Sequence, residues 1–355
     1  MPPAPAGSPP RRRVLALLAL GLAGLLAPQP AAARPFRDAA GRVVEVPDRP
    51  LRVIAAGPPA SVLLYTLAPA KMAAWVGAPR EAEKPFLLAE SRDLPVSGRL
   101  TGRGGTANVE AVLALKPDLI VDAGSLGPTY ASLADRVQAQ TGIPYILLDG
   151  ALAQTAETYR QLGRLLGEEA RGEALARAAQ EILDTVAARV DSLPPERRPR
   201  VYYGRGPKGL ETGLPGSINA EVLERAGGRN AAPPAPGGLA AVSPEQVLAW
   251  NPEAIVTVDP AVQALFRTDP LWQGLAAVRT GRVYRAPALP FGWFDAPPGV
   301  NRLIGLRWLA GLLHPDLFPE PLPDAVRAFY RRFYHLDLGE AQRAALLDGT
   351  GGKAP

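Results

Sequence analysis

The chain contains no cysteine in 355 residues. It can therefore form no disulfide and offers no thiolate to a metal ion, so its stability must come from a buried core. It also lacks the cysteine through which an exported lipoprotein is tethered to a membrane. Hydrophobic residues make up 47% of the sequence and charged residues 21%. This balance is typical of a globular chain, and the length suits two domains.

Histidine is nearly as scarce. The two histidines, His314 and His335, lie near the C-terminus beside Leu, Pro or Tyr. Sites for bare transition-metal ions are built from clustered His, Cys and carboxylate side chains. The sequence therefore predicts no metal site formed by protein side chains alone, and we expect both histidines to be structural or exposed.

Long apolar runs are absent except at the N-terminus. Arg11–Arg13 precede the apolar run Val14–Ala27, and Ala31 and Ala33 follow as small residues. This order is typical of an export signal, here cleaved after Ala33. The alternative is a membrane anchor, for which the run is shorter than the roughly 20 residues that a spanning helix needs. We expect export to a periplasm, by either the Sec or the twin-arginine route.

The charge balance is nearly even once the leader is removed. The first 33 residues hold three arginines and no acidic residue, which leaves 36 basic and 34 acidic residues, a formal charge of +2. The precursor's pI near 9.6 overstates this excess. The composition gives no indication of nucleic-acid binding.

Strands and helices alternate in two separate stretches of the chain, residues 34–165 and 196–355. Such alternation is typical of α/β lobes with largely parallel sheets. Between them, residues 166–195 contain apolar positions at helical spacing, from Glu168 to Leu193. An uninterrupted helix of this length spans roughly 37 Å. We therefore predict an α/β fold with two lobes, each with a central, mostly parallel sheet, joined by a single long helix.

A fourteen-residue unit occurs once in each stretch. Residues 108–121 read "NVEAVLALKPDLIV" and residues 243–256 read "SPEQVLAWNPEAIV". Asn108 and Ser243 are favourable N-cap residues, and each is followed two residues later by a glutamate, Glu110 or Glu245. An acidic side chain in a first turn interacts favourably with the helix dipole. The dipole alone does not explain why the same acid recurs in equivalent places of two lobes.

The paired units, the opening "DAAGRVVEVPDRPLRV" and the segment "GPPASVLLYTL" resemble the periplasmic binding proteins of iron-complex, haem and vitamin B12 ABC importers. The similarity extends over residues 36–335. It implies two lobes bridged by a rigid helix, with ligand in the cleft between them and no catalysis or resident cofactor. It also implies that Glu110 and Glu245 dock a monomeric binding protein onto arginines of an ABC permease dimer, which works with its ATPase.

The ligand that fits this composition is a metal complex whose coordination sphere is already filled. We expect a ferric siderophore-type chelate, with a corrinoid or haem as the alternatives. Loops at the carboxyl ends of the strands should line the cleft, near helix N-termini that favour anions. Arginines there would hold an anionic chelate through forked hydrogen bonds, and aromatic side chains would stack on a planar ligand. The candidate ligand-binding residues are Ser61, Tyr65, Arg99, Arg103, Ser125, Tyr202, Arg205, Trp293, Phe294 and Arg302.

Within this set the segment "PFGWFD", residues 290–295, is the leading candidate. Aromatic side chains and an acid in a loop rich in glycine and proline are expected to be poor core material.

Two enzyme classes compete with this interpretation. "DAGSLG" approaches a nucleophile elbow around Ser125, but its base would have to be His314 or His335 from the other lobe. "TGRGGT", residues 101–106, is rich in glycine but lacks the lysine of a phosphate-binding loop. A serine hydrolase is therefore retained as the alternative from another functional class.

Overall fold

The computed structural model describes residues 1–2, 33–101 and 109–350. Most of the predicted leader and the candidate Arg103 lie outside these residues. No helix in the described ranges is long and apolar enough to cross a membrane.

The first lobe is built on a parallel sheet with the strand order β3-β4-β5. An antiparallel ribbon, β1–β2, precedes it. The elements of this lobe are β1 (Ala33–Arg37), β2 (Val43–Pro47), β3 (Val53–Ala55), α1 (Pro58–Leu67), α2 (Val109–Ala114), β4 (Leu119–Gly124), α3 (Pro128–Thr141), β5 (Tyr145–Asp149) and α4 (Thr155–Leu166).

The second lobe repeats this design around a parallel sheet with the order β11-β10-β6-β8 and an antiparallel ribbon, β7–β9. The long helix that precedes it and its own elements are α5 (Glu169–Val190), β6 (Arg200–Gly204), β7 (Glu211–Gly213), α6 (Glu221–Arg225), β8 (Arg229–Asn230), β9 (Leu239–Ala241), α7 (Pro244–Trp250), β10 (Ala254–Thr257), α8 (Pro260–Thr268), α9 (Ala276–Arg279), β11 (Val283–Arg285), α10 (Arg302–Leu313), α11 (Leu322–Tyr334) and α12 (Glu340–Leu347).

The two repeated units fold alike. Each forms a short helix, α2 or α7, that leads into an inner strand of its sheet, β4 or β10. At the same position of both units the backbone turns into the left-handed region, with φ of 48° at Lys116 and 41° at Asn251. A proline follows each of these residues and prevents the helix from continuing. The internal repeat is therefore a repeat of structure as well as of sequence.

The single long helix between the lobes is α5, whose 22 residues span about 33 Å. It packs against α1 and α4 of the first lobe and against α6 and α10 of the second. The predicted two-lobed α/β fold with a connecting helix is confirmed.

Helix α11 comes after the second sheet in the sequence but packs on the first lobe. Its aromatic residues Tyr330, Phe333 and Tyr334 contact Phe86, Tyr159 and Tyr65, with ring centroids 5.8–6.2 Å apart. The chain then returns to the second lobe, where the Arg285 N–H donates to the Thr350 carbonyl at 3.3 Å. The lobes thus share more than one connection, and the domain boundaries given above stay predictions.

One hydrophobic cluster runs from the first lobe through α5 to α10 and α11. Smaller clusters cover the other faces of the two sheets. Because side chains of both lobes pack into the same core, a large separation of the lobes would expose apolar surface to water, which is unfavourable.

Helix α10 packs closely on the backbone of Trp293 through Gly305. A Cβ placed on Gly305 would lie 1.8 Å from the Trp293 carbonyl oxygen, a contact that side-chain movement cannot relieve. We predict that Gly305→Ala lowers the free energy of unfolding by about 3 kcal/mol, the upper part of the range for overpacking. Urea denaturation measures the change.

Gly311→Ala on the same helix is the matched control. Its Cβ would lie 2.8 Å from the end of the Arg307 side chain, which can shift, and 3.9 Å from Phe318 Cβ, an ordinary contact, so helix propensity should raise the stability by up to about 1 kcal/mol. Equal effects of the two substitutions would contradict this description of the α10 packing.

Candidate functional site

A pocket of about 490 Å³ opens between the lobes. We call it the cleft pocket. One wall comes from the start of α1 and from the segments that follow β3, and the facing wall comes from the loop before α10. The lining residues are Pro58, Ser61, Val62, Trp75, Val76, Gly77, Ala78, Arg80, Glu83, Arg99, Phe291 and Pro297.

The N-terminus of α1 forms the polar part of the cleft pocket. Gly57 is the N-cap, and Pro58 and Pro59 occupy the first turn, where a missing N–H is tolerated. Gly57 is required because a Cβ there would lie 2.8 Å from the Thr101 hydroxyl. The Ser61 side chain is buried, and its Oγ has no hydrogen-bond partner among the described residues. A buried hydroxyl without a partner is unfavourable, and a bound acceptor would satisfy it.

Positive charge lies beside this hydroxyl. The half-buried Arg99 lines the pocket. The exposed Arg80 also lines it and donates from Nε to the buried Glu83 carboxylate at 2.6 Å. The helix dipole of α1 adds a partial positive charge at its N-terminus. Because Glu83 also lines the pocket and pairs with Arg80, Arg99 and the helix dipole are the groups that favour an anionic or strongly hydrogen-bond-accepting ligand.

Aromatic rings form the apolar part of the pocket. Trp75 and Phe291, one from each lobe, lie 5.7 Å apart between ring centroids. The Trp75 indole N–H donates to the Ser91 carbonyl at 2.6 Å, which fixes the ring. Neither residue is among the candidates named from the sequence, although Phe291 belongs to the "PFGWFD" segment. The apolar wall forms only where the two lobes meet, because each lobe contributes one of its two rings.

A buried carboxylate supports the pocket from below. Asp122, on β4, accepts hydrogen bonds from the Tyr145 hydroxyl at 3.0 Å and from Thr101 Oγ1 at 3.3 Å. Burial raises the pKa of Asp122, while its hydrogen bonds, first that of Tyr145, oppose the rise. Because a Cβ on Gly57 would lie 3.6 Å from the Asp122 carboxylate, this cluster sits directly beneath the start of α1. It fixes the helix end that carries Ser61.

Four of the aromatic candidates lie in the core instead of the cleft pocket: Tyr65, Tyr202, Trp293 and Phe294 are each 0% exposed. The premise that aromatic residues in a loop rich in Gly and Pro are poor core material is wrong for this chain. Helices α10 and α11 cover the loop, a tertiary contact that local composition does not reveal.

The polar atoms of these residues are satisfied internally. The Trp293 indole donates to the Tyr330 hydroxyl at 3.2 Å, and the Tyr202 hydroxyl donates to the Gly209 carbonyl at 2.7 Å. The Tyr65 hydroxyl accepts from the Leu88 N–H at 2.9 Å, and burial raises the pKa of Tyr65 to about 12. These side chains therefore hold the fold together.

Arg205 is engaged within the second lobe. It donates to the buried Asp295 at 3.0 Å and also contacts Glu211. Asp295 accepts further bonds from Tyr203 and Asn219 at 3.0 Å each. The guanidinium thus belongs to a buried polar network, in which a missing partner would be costly.

Arg302 connects the two lobes. Its buried guanidinium donates to Glu221 at 2.6 Å and to the Gly150 carbonyl. The same Glu221 carboxylate accepts from the Leu152 N–H at 3.0 Å. Burial lowers the pKa of Arg302, and Glu221 opposes that change. The pair ties α6 and α10 of the second lobe to the end of β5 in the first.

Breaking this buried pair should be costly. We predict that Arg302→Met lowers the free energy of unfolding by about 3 kcal/mol, because it leaves the partly buried Glu221 carboxylate without its cation. Denaturant unfolding measures the loss. Arg327→Met, which breaks an exposed pair with Asp337, is the control and should change stability little. An equally small loss for both variants would refute the proposed role of Arg302 as an inter-lobe tie.

The Ser125 hydroxyl lacks the surroundings of a nucleophile. It is exposed and accepts from the Gly127 N–H at 3.3 Å, at the start of α3. His314 contacts the Gly227 carbonyl, and His335 contacts Arg171. Among the hydrogen bonds of the described residues, neither histidine is joined to Ser125. The described ranges also contain no cluster of three His, Cys, Asp or Glu side chains suited to a metal ion.

The two repeated glutamates occupy matching surface positions. Glu110 and Glu245 are exposed and lie in the first turns of α2 and α7. In the second unit the helix end is capped by Ser243 and Gln246, which exchange hydrogen bonds of 3.3 and 2.8 Å. A hydrogen bond from Ser243 lowers the pKa of Glu245, which keeps it charged. The capping box therefore does not require the glutamate.

Comparison with known proteins agrees with this architecture. A family model described as periplasmic binding protein matches residues 73–289. A solved structure of an ABC transporter solute-binding protein from Sulfurospirillum deleyianum is 30% identical, covers 88% of this chain and 98% of its own, and superposes with a TM-score of 0.80.

Two sequence relatives differ in their ligands. The molybdate-binding protein MolA of Haemophilus influenzae is 26% identical over 70% of this chain and 74% of its own length. A cobalamin-binding protein of Halobacterium salinarum is 29% identical over 76% of this chain and 75% of its own. The chain belongs to the periplasmic binding protein family and is a solute-binding protein of an ABC importer.

Proposed function

We propose that this protein captures a chelated metal, a ferric siderophore-type complex, in the cleft pocket and delivers it to an ABC permease. The observation that carries the proposal is the Ser61 hydroxyl, which has no partner among the described residues and lines the same pocket as Arg99. Both groups offer donors to an anionic, oxygen-rich surface. Without a cluster of metal-ligating side chains in the described ranges, the metal would arrive with its coordination sphere filled by the chelator.

The size of the pocket supports an organic ligand. Its volume of about 490 Å³ lies within the range of roughly 300–1,000 Å³ that is usual for small organic molecules and cofactors. A bare oxyanion would leave most of this space to water and would not use the apolar wall of Trp75 and Phe291. The aromatic wall suits the organic part of a chelate.

A corrinoid is the second candidate, because cobalamin-binding and vitamin B12-binding proteins are 29–30% identical to this chain. Haem is the third, since a haem-binding protein of Pseudomonas aeruginosa shares the fold with a TM-score of 0.55. Molybdate, the ligand in the name of the relative from Haemophilus influenzae, is the test case for a small oxyanion.

Delivery would take place through Glu110 and Glu245. Their exposed carboxylates on two separate lobes are suited to a pair of arginine-bearing surfaces on the two permease subunits. The protein would dock as a monomer after export and removal of the leader behind Ala33.

Fluorescence titration of the mature chain tests the ligand class. Trp75 lines the pocket and is the expected fluorescence reporter. We expect ferric catecholate or hydroxamate chelates to quench the fluorescence saturably, and molybdate, cobalamin and haem to be weaker. Trp75→Phe should lose most of the quenching, whereas Trp250→Phe, on the outer face of the second lobe, should keep it. Preference for molybdate, cobalamin or haem over every ferric chelate would overturn the proposed ligand class.

A further inference from the structure

A second pocket, of about 310 Å³, lies on the long helix. We call it the helix groove. It shares no lining residue with the cleft pocket and is formed by one stripe of α5 with the end of α11. Its lining residues are Arg171, Ala174, Leu175, Arg177, Ala178, Glu181 and Arg332. The alanine side chains of the stripe are small and apolar. The arginine side chains therefore supply the polar surface of the groove.

Arg171 is the unusual residue in the groove. Its guanidinium donates to the Thr66 carbonyl at 3.3 Å and to the Arg332 carbonyl at 2.5 Å, and it meets His335 Nε2 at 3.2 Å. None of these three groups carries a negative charge that would balance the guanidinium. Its Nε is buried and has no hydrogen-bond partner in the part of the chain that the structure describes.

The charge of Arg171 is also unbalanced. No carboxylate of the described residues forms an ion pair with it, although partly buried cations are normally paired. Burial lowers the pKa of Arg171, as expected for a cation that lacks an anionic partner. The groove therefore contains a partly desolvated positive charge with an unused donor.

The other two arginines reinforce this charge. Arg177 is largely exposed and lies 3.8 Å from its closest carboxylate, Glu173. Arg332 is bound to Glu181 at 2.6 Å. Three guanidinium groups thus face a groove that has one acidic lining residue, Glu181.

We propose that the helix groove is an anion-binding site for a phosphate-type group. A tetrahedral oxyanion would balance Arg171, accept from Arg177 and compete with Glu181 for Arg332. Because Arg171 also contacts the last turns of α1 and α11, the bound anion would stabilise the packing of these two helices on α5. The phosphate could belong to a free anion or to a lipid headgroup.

Thermal denaturation with inorganic phosphate, at ionic strength kept constant with sodium chloride, tests the site. We expect a saturable rise in Tm for the ligand-free mature chain. Arg177→Gln, an exposed change that should not disturb folding, should weaken phosphate binding about tenfold, the effect of losing one charge-assisted hydrogen bond. Arg171→Lys, which keeps the charge but loses the forked donors, should weaken it as well.

Two controls separate this site from general charge effects and from the cleft pocket. Arg136→Gln, an exposed arginine on α3, and Arg99→Gln in the cleft pocket should both keep the full response. Co-sedimentation with phosphatidic acid vesicles, against neutral vesicles, identifies the source: binding to vesicles without a response to free phosphate assigns a headgroup. No response to either probe, or an equal response in Arg177→Gln and wild type, would overturn the proposal.

Discussion

We expect uptake of the ligand to fall to background when Glu110 and Glu245 are both replaced by arginine, while the affinity of the binding protein for its ligand should stay the same. Both carboxylates are exposed and lie on different lobes, away from the residues that line the cleft pocket. Charge reversal would replace two attractions to the permease by two repulsions. The free-energy losses at the two contacts add, so their effects on affinity multiply. The affinity for the permease should therefore fall by more than about a thousandfold.

The matched control uses glutamates in the same helical position elsewhere. Glu169 and Glu340 are exposed and lie in the first turns of α5 and α12. If Glu110 and Glu245 only favour the helix dipole, Glu110→Arg/Glu245→Arg and Glu169→Arg/Glu340→Arg should behave alike, with a small loss of stability and normal uptake. Uptake in a cell that carries the permease, together with ligand titration of the purified variants, distinguishes the two cases. Normal uptake by Glu110→Arg/Glu245→Arg would leave the dipole as a sufficient explanation.

The second large effect is expected in the cleft pocket. Ser61→Ala should weaken binding of the ferric chelate by about tenfold or more, because it removes a donor to a charged acceptor. Arg99→Gln should weaken it at least as much, since a charge is lost with the donor. Ser61 Oγ has no partner in the described ligand-free chain. Ser61→Ala should therefore leave the free energy of unfolding unchanged or raise it by about 1 kcal/mol.

A substitution that weakens ligand binding without lowering the stability is expected for a polar group whose hydrogen-bond partner is the ligand. Ser91 provides the comparison, because its hydroxyl is also buried without a partner among the described residues but does not line the cleft pocket. Ser91→Ala should match Ser61→Ala in stability and keep the wild-type affinity. Calorimetric titration and urea unfolding of both variants supply the two quantities. An unchanged affinity in Ser61→Ala would remove this hydroxyl from the binding site.

The architecture was predictable from the sequence because its signals are local and repeated. The alternation of apolar strands and amphipathic helices specifies two α/β lobes, and the paired units place α2 and α7 before equivalent strands. The continuous helical spacing from Glu168 to Leu193 corresponds to α5, Glu169–Val190, with differences only at its ends.

The candidate site was less predictable because its walls come from distant parts of the chain. Ser61 and Arg99 were identified from loop position and chemistry, and the structure brings them together in one pocket. Trp293 and Phe294 have the same local character as a ligand-binding loop, but α10 and α11 bury them. Arg302 looks like an anion-binding arginine until Glu221, 81 residues away, is placed beside it. Whether such a residue binds ligand or packs inside the protein depends on its tertiary contacts, which a local sequence pattern does not reveal.

Equilibrium dialysis of the mature chain against a ferric chelate, with iron and chelator labelled separately, tests the central proposal most directly. The proposal predicts that iron and chelator are retained together, one of each per chain, and that the iron-free chelator and the bare ferric ion are not retained. Retention of iron without chelator, or of neither component for every chelate class tested, would contradict it.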